Sequence, residues 1–340
     1  MPIDFHAHWI PAAMSEVLRK RTSVPMIRRG DDGFEYYHYS YQTAKLMPGF
    51  DDIPTRLAEM DRTGITRAVM SLTTVYGVEC MPINESLPLC RAFNDAVGAM
   101  CKAHPDRFSG LAALPNADLT AALAEFERAM ELPGMVGAIL PGDGFLSKKR
   151  AEHFRPIVAA ANRRNAILLV HYGRWASDPE ALKIDSSDNA GVRYGTLDMQ
   201  SKLSSSIITF SMTDFLAEFP NVTMMVHNLG GNIAYEIERL DHRNYLDTPN
   251  NELPFKRIRA SSVMVDCNSF GARGIELAVQ IYGVDRIVLG TDGTEFGMKW
   301  SMDAIAEANI SAADQRAILD GNAARALARV GTVGAMAKAA

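Results

Sequence analysis

Three features of the chain predict an α/β fold whose strands close into a barrel. Short apolar runs alternate with longer amphipathic stretches, as repeated βα units require. The runs number eight and are near-continuously hydrophobic, which suits strands covered on both faces. At 340 residues the chain is long for one domain but ordinary for a (β/α)8 TIM barrel, so residues 1–340 are read as a single domain.

In order, the strand-like runs occupy residues 3–8, 67–72, 108–114, 135–140, 166–171, 222–227, 262–267 and 286–291. The segments between them, such as 84–104 and 119–131, carry helical periodicity. Arg62-Thr63-Gly64, Leu132-Pro133-Gly134 and Phe219-Pro220-Asn221 each stop a helix just before a strand. Two insertions interrupt the rhythm. Residues 28–41 combine an Asp31-Asp32-Gly33 turn with the aromatic run FEYYHYSY and predict a hairpin over the barrel mouth. Residues 172–206, rich in Ser, Asp and Gly, are expected to form a long loop after strand five, serving as a lid or specificity loop or simply as a surface excursion. The small-residue tail 331–340 is expected to fray.

Hydrophobic residues make up 47% and charged residues 22%, enough for a substantial core. A net charge of −5 and a pI near 5.9 argue against nucleic-acid or anionic-membrane partners. The chain opens with no basic segment leading into an apolar one, and no apolar run reaches about 18 residues, so a cytoplasmic protein is expected. Cys80, Cys90, Cys101 and Cys267 lack CxxC spacing and read as reduced, mostly buried thiols.

In such a barrel, chemistry gathers at the C-terminal ends of the strands, so polar residues that close apolar strands are the candidates. His6 and His8 close strand one and, two residues apart, share a face. His171 closes ILLVH, His227 closes TMMVH and Asp292 follows IVLGT. Any one of these histidines is as readily a hydrogen-bonded core residue. Their joint arrival at strands one, five, six and eight points to a metal centre. Imidazoles with a carboxylate suit Zn²⁺ best, with Mn²⁺, Fe²⁺ or Co²⁺ as alternatives. The strand-four segment MVGAILPGDG lacks a lysine to bridge a second ion, which favours one metal. A purely structural metal in a binding scaffold is the non-enzymatic alternative, but ligands at a barrel mouth generally surround an open site.

These residues carry a family resemblance. DFHAHWIP, His171, HNLGG and GTDGTEFG resemble the amidohydrolase superfamily. TRLAEMDRTGITRAVMS, NDAVGAMCKAHPDRFSGLAALP and FLAEFPNVTMMVHNLGG extend the resemblance over most of the chain. They are similar to the branch containing aminocarboxymuconate semialdehyde decarboxylase and γ-resorcylate and related aromatic-acid decarboxylases, with some hydrolases and hydratases of lignin-fragment degradation. The resemblance implies that His6, His8, His171 and Asp292 bind one divalent metal and that His227 orients or deprotonates metal-bound water. Counting back from Gly230-Gly231 and Tyr235 places the family histidine on Asn228, so His227 and Asn228 both remain candidates. Arg56 matches an arginine that holds a substrate carboxylate. Arg239 matches one that reaches a neighbouring subunit's site, which implies a homodimer or higher homo-oligomer; as part of IERLDHR it also reads as an ordinary solvated helix face. Trp9 and Trp175 would wall a flat substrate. The implied activity is non-oxidative decarboxylation of a hydroxylated aromatic or unsaturated carboxylic acid. Metal-dependent C–C hydrolysis or hydration of a ring-cleavage product is the alternative.

Overall fold

The structure, a computed structural model, describes residues 1–39, 42–47, 49–176, 188–293 and 297–330. Its strands are β1 (Ile3–His8), β2 (Met26–Arg29), β3 (Glu35–Tyr39), β4 (Gln42–Leu46), β5 (Arg67–Ser71), β6 (Phe108–Ala112), β7 (Met135–Pro141), β8 (Ile167–His171), β9 (Thr223–Val226), β10 (Met264–Asp266) and β11 (Ile287–Val288). Eight of them form one parallel sheet in the order β1-β5-β6-β7-β8-β9-β10-β11. Backbone bonds close it: Phe5 N–H donates to the Leu289 carbonyl at 2.8 Å and Asp292 N–H to the His6 carbonyl at 2.7 Å. The eight-strand barrel expected from the pattern is therefore the fold, and every predicted run coincides with a strand, β7 extending one residue beyond its run to Pro141.

The barrel interior is a dry cluster of Phe5, Val69, Leu111, Ile139, Leu169, Met225 and Val288, plugged from the N-terminal end by Ala323 and Ala326 of the helix Asn322–Arg329. A second, larger core lies between strands and helices, where Phe93, Phe126, Ile157, Leu203, Ile207 and Ile275 pack. Local chemistry sets the helix ends. Asp52 and Asp118 cap the helices Ile53–Thr63 and Leu119–Ala129 by accepting from Thr55 N–H and Ala121 N–H. Gly64 ends the first of these in a left-handed conformation (φ 78°), as Arg62-Thr63-Gly64 anticipates.

β1 carries one more residue than its neighbour. Asp4 pairs with Ala68 but Ala7 pairs with Met70, so three steps on β1 match two on β5. Such a bulge breaks the alternation of side chains. Phe5 joins the dry interior, His6 and His8 follow it inward, and Ala7 packs in the outer core.

The predicted hairpin at 28–41 is a three-stranded antiparallel sheet, β2-β3-β4, spanning 26–46, with Ser40 and Tyr41 outside the described residues. Tyr37 on β3 stacks on Tyr76, just beyond the C-terminal end of β5, at a ring separation of 4.0 Å, which sets this sheet beside the barrel mouth. The expected loop 172–206 is corrected in its second half. Residues 177–187 lie outside the described residues, but Ala190–Arg193, Tyr194–Asp198 and Met199–Met212 are helical. Serine-rich composition disguises this helix, whereas Leu203, Ile207 and Phe210, spaced four and three apart, bury its inner face. The tail 331–340 also lies outside the described residues. All four cysteines are unpaired, Cys80 half-buried and the others buried. Among the described residues no helix is long and apolar enough to cross a membrane.

Two packing features carry measurable consequences. A Cβ built on Gly137 in β7 would stand 1.7 Å from the Ile167 carbonyl oxygen of β8, a backbone atom that cannot turn aside. Gly137→Ala is expected to destabilise the fold by about 3 kcal/mol or more, beyond ordinary overpacking, as read by denaturant unfolding. Glu79, after β5, is buried with Oε1 lacking an acceptor or donor partner, and burial pushes its carboxyl up to about 8 against the pull of its own backbone N–H and Arg174. Its folded value exceeds its unfolded one, so the stability it confers is full in acid and drains away as pH rises towards 8. Relative to Glu79→Gln, wild-type stability should fall by up to about 1.4 kcal/mol per pH unit between roughly pH 4.5 and 8 and then level off. Parallel slopes for the two proteins would refute this.

Candidate metal centre

The strand ends bring His6, His8 and His171 together, with one ligand atom from each lying within 4.8 Å of the others. All three are buried. Their Nε2 atoms face one another: His6 to His8 at 3.0 Å and His8 to His171 at 3.1 Å. The opposite nitrogen of each ring explains why. His171 Nδ1 lies 2.8 Å from the Tyr172 carbonyl, which can only accept, so Nδ1 carries the proton. Ser71 Oγ donates to the Ala7 carbonyl at 3.3 Å, leaving its lone pair for His8 Nδ1–H at 2.9 Å. His6 Nδ1 meets the Asp266 carboxylate at 3.1 Å. The Nε2 atoms of the three rings thus converge, those of His8 and His171 as lone pairs. A divalent cation resolves that arrangement, and neutral imidazoles with outer hydrogen-bond partners are what it requires.

Electrostatics agree at His8 and His171 and differ at His6. Burial pushes His8 and His171 well below the ordinary imidazole range, and the neighbouring histidines deepen the effect. Burial pulls His6 down too, but the carboxylates of Asp266, Asp292 and Asp4 together outweigh it and raise His6 to about 9, so a cation must displace a proton to bind there. Asp292 completes the arc with Oδ1 3.6 Å from His8 Nε2. Its backbone is left-handed (φ 50°), a conformation Asp tolerates better than most residues, and its N–H is held by the His6 carbonyl. The preceding Thr291 is clamped by buried Asp4, which accepts from Thr291 N–H at 3.0 Å and Oγ1–H at 2.6 Å.

His227 lies in the same nest, its ring stacked on His171 at 4.0 Å and 5.2 Å from that of His6. Its Nε2 accepts from Tyr172 N–H at 2.8 Å, so its proton sits on Nδ1, which is buried without a protein partner. Asn228 turns elsewhere: its Oδ1 accepts from Asn268 Nδ2 at 2.9 Å. Arg56 is buried and donates from Nη2 to the His8 carbonyl at 2.8 Å, and its Nη1 would stand 3.2 Å from a Cβ on Gly293, beside Asp292. Trp9 is buried with Nε1 lacking an acceptor. Trp175 is half-buried against His153 and Arg150 at 5.2 and 5.3 Å. Arg239 is exposed on the helix Ile233–Asp247 and joins none of the hydrogen bonds of the centre among the described residues. Sequence reading passed over Asp4, Ser71 and Asp266. Asp266 closes the apolar strand β10 and meets the same criterion that singled out His171 and His227.

A family model described as amidohydrolase matches residues 3–329. The chain belongs to the amidohydrolase family. This amidohydrolase is 24% identical over 325 residues to a γ-resorcylate decarboxylase of Rhizobium sp., covering 91% of the chain and 96% of the relative. In three dimensions it is similar to the IDCase of Metarhizium anisopliae in apo form (TM-score 0.81, 19% identity, 97% of each chain). It is also similar to 5-carboxyvanillate decarboxylase of Novosphingobium aromaticivorans in complex with manganese and 4-hydroxy-3-methoxy-5-nitrobenzoic acid (TM-score 0.75, 18% identity, 96% of each chain).

If the three imidazoles hold a cation, His8→Ala and His171→Ala should each weaken divalent-metal binding by more than the ~10–100-fold that loss of an outer partner costs. Metal content after dialysis reads the loss. Unchanged circular dichroism would assign it to the site and not to the fold.

Proposed function

We propose that this amidohydrolase is a mononuclear, divalent-metal-dependent, non-oxidative decarboxylase of a hydroxylated aromatic carboxylic acid. The convergence of three histidine Nε2 atoms beside Asp292 carries the reading. The decarboxylase relatives, and the aromatic acid and manganese in the related structure, support it. His6, His8, His171 and Asp292 would hold the ion. The donor set suits Zn²⁺ on ligand chemistry, and manganese in the relative makes Mn²⁺ an equal candidate. When bound, the ion supplies Lewis acidity towards substrate oxygens.

The reaction requires that the carboxylate carbon leave as CO₂, that its bonding pair stay on the ring carbon, and that a proton take its place there. Asp292, at the rim beside Arg56, is the residue proposed to hold that proton. His227 acts as a fixed donor, because Tyr172 N–H occupies Nε2 and leaves Nδ1–H to meet a substrate oxygen. Of the two expected roles of His227, orienting and deprotonating, this favours the first. Arg56 offers its guanidinium to a carboxylate, and Trp9 lines the flat walls with Trp175. Asn228, bonded to Asn268, supports the turn that carries His227 and does not substitute for it. Self-association is part of the proposal: Tyr235, Tyr245 and Leu246, 81, 69 and 56% exposed on the helix that bears Arg239, support a homo-oligomer in which Arg239 reaches a neighbouring site.

A panel of hydroxybenzoates should release CO₂ with the metal-loaded enzyme and not after chelation. Inertness of the loaded enzyme to the whole panel would overturn the reading, and solvent ¹⁸O appearing in the product would favour the hydrolase or hydratase alternative. Arg56→Lys, which keeps the charge but loses the planar fork, should lower kcat/KM about 10–100-fold, the equivalent of about 1.5–3 kcal/mol for a charged hydrogen bond.

A further inference from the structure

We infer that Asp266 is the positioning residue of the centre, setting the proton of His6 with one oxygen and the place of His227 with the other. The inference rests on the divalent-metal reading above.

Asp266 is fully buried at the end of β10. Its Oδ2 lies 3.1 Å from His6 Nδ1. Its Oδ1 accepts two backbone donors, Asn228 N–H at 3.2 Å and Asn268 N–H at 3.0 Å. The first bond keeps the Nδ1 proton of His6 in place, so that Nε2 is the nitrogen left to bind a cation. The second pair anchors a strained turn. Asn228 and Leu229 are both left-handed, at φ 52° and 51°, a conformation disfavoured for residues with a Cβ. Tyr282 Oη–H to the Leu229 carbonyl at 2.9 Å, and Asn268 to the Asn228 side chain, hold the same turn. His227 is the residue immediately before it. One carboxylate therefore ties a ligand on the first strand of the barrel to the donor beyond β9.

The chain makes room for this group. A Cβ on Gly290 would stand 2.9 Å from the Asp266 Cβ, Cγ and Oδ1. Glycine at 290 is thus a steric requirement of Asp266, and Gly290→Ala offers a way to displace the carboxylate without removing it.

Asp266→Asn separates the two duties. The two backbone donors require an acceptor, so the amide oxygen must replace Oδ1 and the amide nitrogen must replace Oδ2. That nitrogen donates towards His6 Nδ1, moves the imidazole proton to Nε2 and turns a metal lone pair into an N–H. The turn and His227 stay in place.

The experiment is competition of the purified enzyme against a chelator for Zn²⁺ and Mn²⁺, with thermal melts of the metal-free proteins and ¹⁵N NMR of the histidine rings. Asp266→Asn should weaken metal binding about 10–100-fold, with little change in apo melting temperature and the His227 ring signals unmoved. Asp266→Ala should weaken binding and shift the His227 signals as well. Gly290→Ala should weaken binding by less than Asp266→Asn. In zinc-loaded wild type, His6 should show a downfield, exchange-protected Nδ1 proton, a readout that does not depend on any variant folding. Metal affinity within twofold of wild type in both Asp266→Asn and Gly290→Ala, or an Nδ1 proton on His6 that exchanges freely, would overturn the inference. A wild type that binds neither ion would instead overturn the metal reading on which it rests.

Discussion

The extra residue that β1 carries between Asp4 and Ala7 decides where the centre can stand. In an unbroken strand, alternation would send Phe5 and His6 to opposite sides, and a strand that buried Phe5 in the barrel would turn both histidines towards the helices. The bulge lets Phe5 close the dry interior while His6 and His8 stand directly above it. A bulge beside an active site is a common device for aiming a side chain. Here it lies at the seam where the barrel closes, so the bonds that join β1 to the residues after β11 also bring Asp292 to the histidines.

Above that seam the interior changes from apolar to polar within two residues on each of three strands. Leu169 is followed two positions later by His171, Met225 by His227, and Met264 by Asp266. Burying so many polar groups is tolerated because nearly every ring nitrogen that faces away from the cluster has a partner: Tyr172, Ser71 or Asp266. The atoms left over, the converging Nε2 set and His227 Nδ1, point to where a ligand is needed. The distribution of unmet hydrogen-bonding capacity thus outlines the site. The carboxylates are divided accordingly, with Asp292 at the rim and Asp4 and Asp266 behind the ligands.

Much of this was readable in the chain because strand and helix periodicities are local. The apolar runs mark all eight barrel strands, and the rule that barrel chemistry sits at strand ends singles out His6, His8, His171, His227 and Asp292 without coordinates. The helix Met199–Met212 was harder to read, since serine favours turns in isolation and only burial of Leu203, Ile207 and Phe210 overrides that preference. The aromatic insertion read as a hairpin because its third strand, Gln42–Leu46, is short, has no aromatic residue and only Thr43 as a β-branched one, and is fixed by pairing with β3.

The sequence by itself determined the fold class, the barrel rim and the ligand candidates, because side-chain periodicity and residue chemistry are written along the chain. Only the tertiary structure decided their states. The tautomer of each histidine depends on what its far nitrogen touches, and those partners stand 63 residues away for His8 and 260 for His6. Which nitrogen of His227 carries the proton depends on a backbone N–H 55 residues distant. Asp266 meets the strand-end criterion in the chain alone, but its bond to His6 exists only once β10 stands beside β9 in the closed barrel. Protonation and orientation are properties of contacts, and contacts between distant strands exist only once the barrel has closed.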